Sequence, residues 1–298
     1  MQHWTDNTNI PVVSICTITY NHELYIAETI ESFLRQKTNF SFEIIIDEDC
    51  STDFTANIIK KFSQNYPKII KENCRNKNVG MYLNGIENLK KARGKYIALC
   101  EGDDYWTDPL KLQKQVDFLE QNNDYVITYT SVEAFNENGL VKNYIGGVTR
   151  DVEKIELQKT VPINTLTTCF RNVLKEIPKE FDCTKYGDLF LWSLLGAYGK
   201  GKYLADIKPS CYRIHDGGVH SKKEKHVQFE MWSLTAAALY LYHSRMQNTM
   251  LAEHFKNIIF ELRYKELSIQ KFLQLNYKIV HHRIKYYFVP LFQKDSHA

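Results

Sequence analysis

The sequence predicts an α/β protein whose central sheet is mostly parallel and is covered by helices on both faces. Short apolar runs rich in β-branched residues occur at 12–19, 42–46, 96–99 and 125–129. Segments with apolar residues at helical spacing lie between them, and this alternation is typical of a parallel sheet. The runs lack the apolar–polar alternation of half-exposed strands, which indicates burial on both faces.

Composition and charge exclude several classes of protein. Apolar residues make up 44% of the 298 residues and charged residues 24%, which excludes a disordered chain. A net charge of +3 is too small to indicate nucleic acid as a partner. The seven cysteines have no paired spacing, so we expect reduced, mostly buried thiols. No signal peptide and no apolar stretch of ~18 residues is visible, so we expect a cytoplasmic protein.

Local signals predict where some helices and turns begin. Ser51 or Thr52 is expected to cap the second helix. Asp108 is expected to cap a later helix with Pro109 in its first turn. Segment 131–171 is irregular, with hairpins expected around two turn pairs, Asn138-Gly139 and Gly146-Gly147.

Three carboxylates follow the apolar run at 96–99, in the segment EGDDYW. Glu101, Asp103 and Asp104 lie within four residues of one another and repel unless a cation or a donor offsets their charge. Mg²⁺ and Mn²⁺ bind carboxylate and phosphate oxygens, and such an ion neutralises a diphosphate leaving group. The alternative interpretation is an exposed acidic turn before a helix.

The segment DEDCSTD follows the run at 42–46. Asp49 can accept a hydrogen bond from the N3–H of a uracil or thymine ring. Ser51 and Asp53 fit helix capping instead. Tyr20, at the end of the first predicted strand, offers a ring for stacking on the base, although a lone tyrosine there more often serves packing.

Three segments together resemble the inverting glycosyltransferases of family 2, which have the GT-A fold. They are SICTITYNHELYIAETIESFLRQ, EIIIDEDCSTD and GKYIALCEGDDYWTDPLKLQKQV, and they span roughly 11–116 in the order typical of the family. The resemblance implies a Rossmann-like GT-A domain over 1–221. Its nucleotide-binding half would cover about 10–130 and its acceptor half about 131–221, and a helical C-terminal extension would occupy 222–298.

The resemblance also implies roles for single residues. Asp103 would lie near the ribose, and Asp104 would hold Mn²⁺ or Mg²⁺. The family often has Asp-Asp-Gly where this chain has Glu48-Asp49-Cys50, and Asp where it has Glu101. The other residues expected to bind the nucleotide-sugar are Thr19, Tyr20, Asn21, Glu48, Asp49 and Arg213.

The catalytic base implied by the resemblance is Asp188, in KYGDLFLWSLL. A carboxylate there can take the proton of an acceptor hydroxyl as its oxygen attacks the anomeric carbon, and a single displacement inverts that carbon. Asp188 also fits a helix N-cap, and the two roles are compatible.

Arg213 and His215 alternate on a predicted strand in CYRIHDGGVHS and are expected to face the same side. Family relatives carry a similar Tyr-Arg-x-His near the diphosphate, so the resemblance implies that His215 binds the metal or a phosphate oxygen. Arg213 or His220 would assist. The spacing from His215 to His220 matches no zinc motif, and a purely structural histidine is the alternative.

The implied function is sugar transfer from a nucleotide-diphosphate donor, with UDP favoured, to a hydroxyl of a glycan or lipid-linked acceptor in bacterial surface polysaccharide synthesis. A sugar-nucleotide pyrophosphorylase would need a glycine-rich loop, and 11–25 contains no glycine. An inactive binding module would have lost acidic residues that are all present here.

The basic and aromatic tail, Asn276 to Phe292, fits two interpretations. It can lie on the inner face of the plasma membrane, or it can pack on other helices, including those of a second copy in a homo-oligomer.

Overall fold

The structure is a computed structural model, and it describes residues 10–265 except 143, 145 and 219–223. The described residues form two compact units. The first runs from residue 10 to Ile177 and from Leu191 to residue 218. The second contains Pro178–Phe190 and the residues from 224 to 265.

Ten strands lie in the described part of the chain, all in the first unit. They are β1 (Val13–Thr19), β2 (Phe42–Glu48), β3 (Ile70–Cys74), β4 (Tyr96–Leu99), β5 (Tyr125–Tyr129), β6 (Val132–Asn136), β7 (Gly139–Leu140), β8 (Cys169–Arg171), β9 (Lys200–Tyr203) and β10 (Ser210–Arg213).

The helices begin and end close to the predicted apolar stripes. They are α1 (Ile26–Leu34), α2 (Thr55–Asn65), α3 (Met81–Lys90), α4 (Lys111–Gln121), α5 (Lys154–Gln158), α6 (Gly187–Leu195), α7 (Lys225–Arg245) and α8 (Thr249–Lys265). Short 3₁₀ turns occur at Thr165–Thr167 and Lys179–Cys183.

Seven of the described strands form one sheet in the order β3-β2-β1-β4-β8-β5-β9. Every neighbouring pair is parallel except the two that involve β8, which runs in the opposite direction. The predicted α/β class with a mostly parallel sheet is therefore confirmed. β8 was not predicted from the sequence, because its three residues are too few to show a pattern.

The central strands are buried on both faces, as their uninterrupted apolar runs predicted. β2 and β4 are buried along their whole length. Phe33 of α1 packs against Trp106, with ring centroids 4.7 Å apart, and the indole N–H of Trp106 donates to the carbonyl of Leu166 at 2.7 Å. Burying each large apolar side chain stabilises the fold by about 1.5–3 kcal/mol.

A second sheet, in the order β10-β6-β7, contains the hairpin predicted at Asn138-Gly139. Gly139 has a φ of 101°, a conformation that favours glycine. The hairpin predicted around Gly146-Gly147 is not observed, since no strand occurs among the residues described around this pair. A Cβ on Gly147 would come within 2.7 Å of the carbonyl oxygen of Pro162, so this backbone packs closely against another loop.

The predicted capping of α2 by Ser51 or Thr52 is wrong, whereas Asp53, which also fitted helix capping, bonds the first residue of the helix. The helix begins at Thr55, whose N–H donates to Oδ1 of Asp53 at 2.9 Å. Ser51 and Thr52 instead bond the loop after β1. The cap predicted at Asp108 is wrong as well, since α4 begins at Lys111 with Leu110 at its N-cap position, and Oδ1 of Asp108 accepts the N–H of Leu110 at 2.9 Å in the turn before the helix.

The second unit is helical, as predicted for the residues after 222 that the structure describes. Its helices α7 and α8 pack on one another. The N–H groups of Lys185 and Tyr186 donate to Oγ1 of Thr235 in α7, at 3.1 and 2.9 Å. The tail from Asn276 to Phe292 lies outside the described residues. Within the part that is described, no helix is long and apolar enough to cross a membrane.

Candidate functional site

Three loops meet at one edge of the large sheet because the strands that precede them are parallel neighbours. In β1 and β2, Thr19 lies opposite Glu48. The N–H of Asp49 donates to the carbonyl of Thr19 at 3.0 Å, and the N–H of Gly102 donates to the carbonyl of Ile18 at 3.0 Å. The carboxyl ends of β1, β2 and β4 therefore bring the predicted acidic segments together, at the edge where such sheets bind ligands.

The loop after β1 is fastened to the loop after β2. The N–H of Asn21 donates to Oγ of Ser51 at 2.9 Å, and its Oδ1 accepts the N–H of Thr52 at the same distance. Asn21 has a φ of 56°, which asparagine tolerates better than most residues. Tyr20 is 43% exposed, so its ring is accessible for the base stacking predicted for it.

Asp49 has a structural role that the sequence analysis missed. Its two carboxylate oxygens accept the N–H groups of Val79 and Gly80, each at 2.8 Å, immediately before α3. Oε1 of Glu48 accepts the N–H of Ser51 at 2.6 Å. Both predicted nucleotide-binding acids are thus buried and held by backbone donors, which fixes their position at the sheet edge.

Asp103 lies between two histidines. Its Oδ2 is 3.0 Å from Nε2 of His215 and 3.7 Å from Nε2 of His22. Burial works to raise the pKa of Asp103, but the hydrogen bond from His215 and the charges of both imidazoles hold this pKa below its usual value. Burial lowers the pKa of His22, and the negative charge of Asp103 opposes that shift.

One carboxylate oxygen and two ring nitrogens here lie within 4.8 Å of one another, so they can hold a metal ion. His215 was predicted as a metal ligand, but the sequence analysis overlooked His22. The available signal was its place one residue after the Tyr20-Asn21 pair, in the same loop after β1.

Asp104, the other predicted metal ligand, lies beside this group but is not part of it. Its Oδ1 accepts the backbone N–H of Arg213 at 2.8 Å. Burial and the neighbouring charges of Asp103 and Glu101 raise the pKa of Asp104 well above its usual value. A cation near Asp104 would offset this accumulated negative charge.

Arg213 holds the acidic loop from the side. Its Nε donates to the carbonyl of Asp103 at 2.9 Å, and its Nη2 donates to Glu28 at 2.6 Å. The guanidinium lies over the rings of Tyr25 and Phe135, 4.6 and 4.5 Å from their centroids. Arg213 therefore positions the loop that carries Asp103, and its predicted contact with the nucleotide stays a prediction.

Asp188 lies in the first turn of α6, in the second unit. Its burial raises the pKa of the carboxyl to about 6, although backbone hydrogen bonds from Leu189 and its own N–H oppose the shift. A base that titrates near neutrality suits proton abstraction from a hydroxyl. His220, the predicted assistant of His215, lies outside the described residues.

Comparison with known proteins identifies the family. Residues 14–178, more than half of the chain, match the family described as glycosyl transferase family 2. The chain belongs to this family. The matched region contains the loops after β1, β2 and β4, so the family's sequence pattern and the edge of the sheet described above coincide.

Relatives within glycosyl transferase family 2 align with the chain over different lengths. TuaG of Bacillus subtilis, a glycosyltransferase assigned to teichuronic acid biosynthesis, is 30% identical over 72% of this chain and 84% of its own. The Escherichia coli protein WfaP, named a UDP-Glc:alpha-D-GlcNAc-diphosphoundecaprenol beta-1,3-glucosyltransferase, is 30% identical over 72% of this chain and 82% of its own. An uncharacterized protein of Mycobacterium tuberculosis is 44% identical over 43% of this chain, and the match spans 37% of that relative's length.

Solved structures show that the fold is of the GT-A type. Staphylococcus aureus TarS (1–349), solved with UDP-GlcNAc, matches with a TM-score of 0.57 and 19% identity over 92% of this chain and 73% of TarS. The mannosyltransferase PcManGT of Pyrobaculum calidifontis, solved with GDP-Man and Mn²⁺, matches with a TM-score of 0.55 and 11% identity over 93% of this chain and 83% of its own.

Proposed function

We propose that this family 2 glycosyltransferase chain moves a sugar, with inversion, from a nucleotide-diphosphate donor to a hydroxyl of a glycan or lipid-linked acceptor. The observation that carries the proposal is the convergence of Asp49, Asp103, Asp104 and His215 at one edge of the sheet. A UDP-sugar is the favoured donor, since WfaP, which aligns over most of this chain, is named for UDP-Glc.

The residues at this edge fit a divalent cation, Mn²⁺ or Mg²⁺. Carboxylates and an imidazole are suitable ligands, and the carboxylates of Asp103 and Glu101 place negative charge beside the buried Asp104 that a cation would offset. Asp103, Asp104 and His215 would hold the ion, which would neutralise the developing charge of the diphosphate leaving group. Asp49 and the exposed ring of Tyr20 would bind the base.

Asp188 would act as the catalytic base. As the acceptor oxygen forms its bond to the anomeric carbon, the bond from that carbon to the diphosphate breaks, and the hydroxyl proton moves to the carboxylate of Asp188. One displacement inverts the anomeric carbon. The names of TuaG, assigned to teichuronic acid biosynthesis, and of WfaP, which names a diphosphoundecaprenol-linked acceptor, support an acceptor of the glycan or lipid-linked class in bacterial surface polysaccharide synthesis.

A thermal-shift panel of UDP-, dTDP- and GDP-sugars, with and without Mn²⁺, tests the donor. Binding at 100 times Kd stabilises the native state by about 2.7 kcal/mol, so we expect the Tm to rise by several degrees with UDP-sugars and Mn²⁺. If none of the nucleotide-sugars in the panel raises the Tm, the proposal is contradicted.

The anomeric configuration of the product tests the stereochemistry. With the donor found in the panel and a panel of hydroxyl acceptors, ¹H NMR coupling at the anomeric proton of the first product is expected to show inversion. Retention would exclude a single displacement with Asp188 as base.

Asp104→Asn is expected to abolish metal-dependent transfer and donor hydrolysis, and unchanged turnover in saturating Mn²⁺ would remove Asp104 from the metal site.

A further inference from the structure

We propose that His22 is a ligand of the divalent cation, together with Asp103 and His215, and that the site therefore prefers Mn²⁺ and the later transition-metal ions over Mg²⁺. The proposal rests on the metal-dependent transfer proposed above, to which it adds a residue and a class of ion.

The separations among the three side chains fit ligands of a common ion. Oδ2 of Asp103 lies 3.0 Å from Nε2 of His215 and 3.7 Å from Nε2 of His22. Two ligand atoms bound at about 2.1 Å lie about 3.0 Å apart at a right angle and about 3.4 Å apart at a tetrahedral angle. Both distances from Asp103 are close to these values, and all three ligand atoms lie within 4.8 Å of one another, so a cation can enter once the side chains move to close the widest separation.

The three ligands come from separate loops that the fold fixes independently. His22 follows β1, Asp103 follows β4, and His215 follows β10. Together with Asp104, they would give the ion four protein ligands, which leaves two positions of a six-coordinate ion for water or phosphate oxygens. That arrangement suits an ion that must also bind the diphosphate of a donor.

The imidazole of His22 is oriented as metal-binding imidazoles usually are. Its Nδ1 is 3.1 Å from Oγ1 of Thr19, so a hydrogen bond there leaves Nε2 facing Asp103. Ligating histidines are commonly held through their second ring nitrogen in this way. The backbone N–H of His22 donates to Oγ1 of Thr55 at 2.8 Å, which fixes the loop itself.

The donor set determines which ions bind well. Mg²⁺ prefers oxygen ligands, whereas imidazole suits transition metals, whose affinities rise from Mn²⁺ through Co²⁺. Two imidazoles among the ligands therefore predict tighter binding of Co²⁺ than of Mn²⁺, and of either than of Mg²⁺. A site built on Asp104 and other carboxylates alone would discriminate much less against Mg²⁺.

Pulsed electron paramagnetic resonance of the full chain loaded with Mn²⁺, with and without UDP, tests the assignment by counting coordinated imidazole nitrogens. We expect a ¹⁴N modulation that falls by about half in His22→Asn and in His215→Asn, because each variant removes one of two imidazole ligands. The Mn²⁺ Kd should rise about tenfold or more in each. Asn in place of His22 keeps a polar atom near Nδ1, which preserves the contact with Thr19.

His226→Gln is the matched control, since His226 is exposed and pairs with Glu224 in the second unit. Its ¹⁴N modulation and Mn²⁺ Kd should equal those of the wild type. If His22→Asn does not fold, as judged by circular dichroism, His22→Gln gives the same count because it also lacks an imidazole.

Different outcomes separate this inference from the proposed function. If a folded His22 variant keeps the ¹⁴N modulation of the wild type while His215→Asn loses part of it, the assignment of His22 is overturned. Metal-dependent transfer would then remain intact. Mg²⁺ binding as tight as Mn²⁺ binding would overturn the preference. A wild-type chain that binds no Mn²⁺, with or without UDP, would overturn both this inference and the metal dependence of the proposed function.

Discussion

The residue that follows Asp49 adopts a backbone conformation that costs free energy. Cys50 has a φ of 62°, in the left-handed region where a side chain other than that of glycine costs about 1–2 kcal/mol. The family often has glycine at this position, so Cys50 retains the turn at the end of β2 without the residue that favours it. Because this turn directly follows Asp49, its strain lies beside the predicted base-binding carboxylate.

Replacing Cys50 with glycine is therefore expected to stabilise the protein. Glycine removes the left-handed penalty but adds about 0.5–1 kcal/mol of entropy to the unfolded chain, so Cys50→Gly should raise the free energy of unfolding by about 0.5–1 kcal/mol. Urea unfolding followed by circular dichroism measures the change.

Cys74→Gly is the control for this substitution. Cys74 is also partly buried, but it lies in β3 with ordinary backbone angles, so glycine there should lower the free energy of unfolding. Equal destabilisation by both variants would show that the left-handed conformation of Cys50 carries no cost.

The raised pKa of Asp188 predicts how the rate falls on the acid side of the pH–rate profile. Because burial raises its pKa to about 6, the carboxylate is ionised and able to accept a proton only above about that pH. kcat at saturating donor and acceptor should fall about tenfold per pH unit below 6. Asp188→Asn should lower kcat by about 10²–10⁴ with an unchanged donor Kd, since the base acts on the acceptor.

Steady-state kinetics from pH 5 to 8, with donor Kd from calorimetry, measure both effects. Glu224→Gln is the control, because Glu224 is exposed and its substitution changes a charge in the same unit without altering the proposed base. Turnover near wild type in Asp188→Asn would place the base at another residue.

Among the elements, the end of β1 and the loop after β4 approach closely because residue 102 is glycine. A Cβ on Gly102 would come within 2.5 Å of Oγ1 of Thr19 and 3.1 Å of Nδ1 of His22. Any larger residue must therefore displace the side chain of Thr19 and shift that of His22. The small residue inside EGDD has a packing reason that the sequence alone did not provide.

Gly102→Ala is expected to weaken Mn²⁺ binding about tenfold or more, because second-layer displacements of this kind misplace metal ligands. Calorimetric titration with Mn²⁺ measures the change. Gly85→Ala is the matched control. Gly85 lies in α3, its added Cβ meets only Ile18 at 4.0 Å, and alanine in a helix should stabilise the fold by about 0.5–1 kcal/mol. Equal Mn²⁺ affinity in the wild type and Gly102→Ala would contradict this role of the glycine.

The elements also show what the sequence can and cannot predict. β1, β2 and β4 were predicted nearly to the residue, because burial on both faces requires an uninterrupted apolar run. The start of α2 was predicted less well, because Ser51 and Thr52 do not cap the helix. They bond Asn21 instead, which lies 30 positions before Ser51 in the chain. A side chain that can cap locally or bond a distant loop looks the same in sequence.

For the whole molecule, the candidate metal group depends on residues far apart in the chain. Asp103 and His215 are separated by 112 positions. The family resemblance indicated both, since each lies in a recognisable motif. His22 also lies in one of the matching segments, but that segment gave it no role, and the parallel pairing of β1 with β4 shows that it reaches Asp103.

The segment that carries Asp188 depends on a helix much later in the chain. Pro178–Phe190 and α7 belong to the same compact unit. The buried hydroxyl of Thr235 in α7 accepts the N–H groups of Lys185 and Tyr186 and donates to the carbonyl of Met231 at 2.9 Å. Arg245, near the end of α7, forms a two-point ion pair with the buried Glu180, at 2.7 and 2.9 Å. The C-terminal helices thus hold the backbone just before the proposed base.

Thr235→Val tests this dependence. Valine matches threonine in shape but removes the acceptor of two backbone N–H groups, which should lower the free energy of unfolding by about 1–3 kcal/mol. Loosening of the chain before Asp188 should also lower kcat, while the donor Kd stays unchanged because the predicted nucleotide-binding residues belong to the first unit. Thr235→Ser keeps the hydroxyl and should restore kcat. If the valine variant is destabilised but its kcat equals that of the serine variant, α7 stabilises the unit without positioning the base.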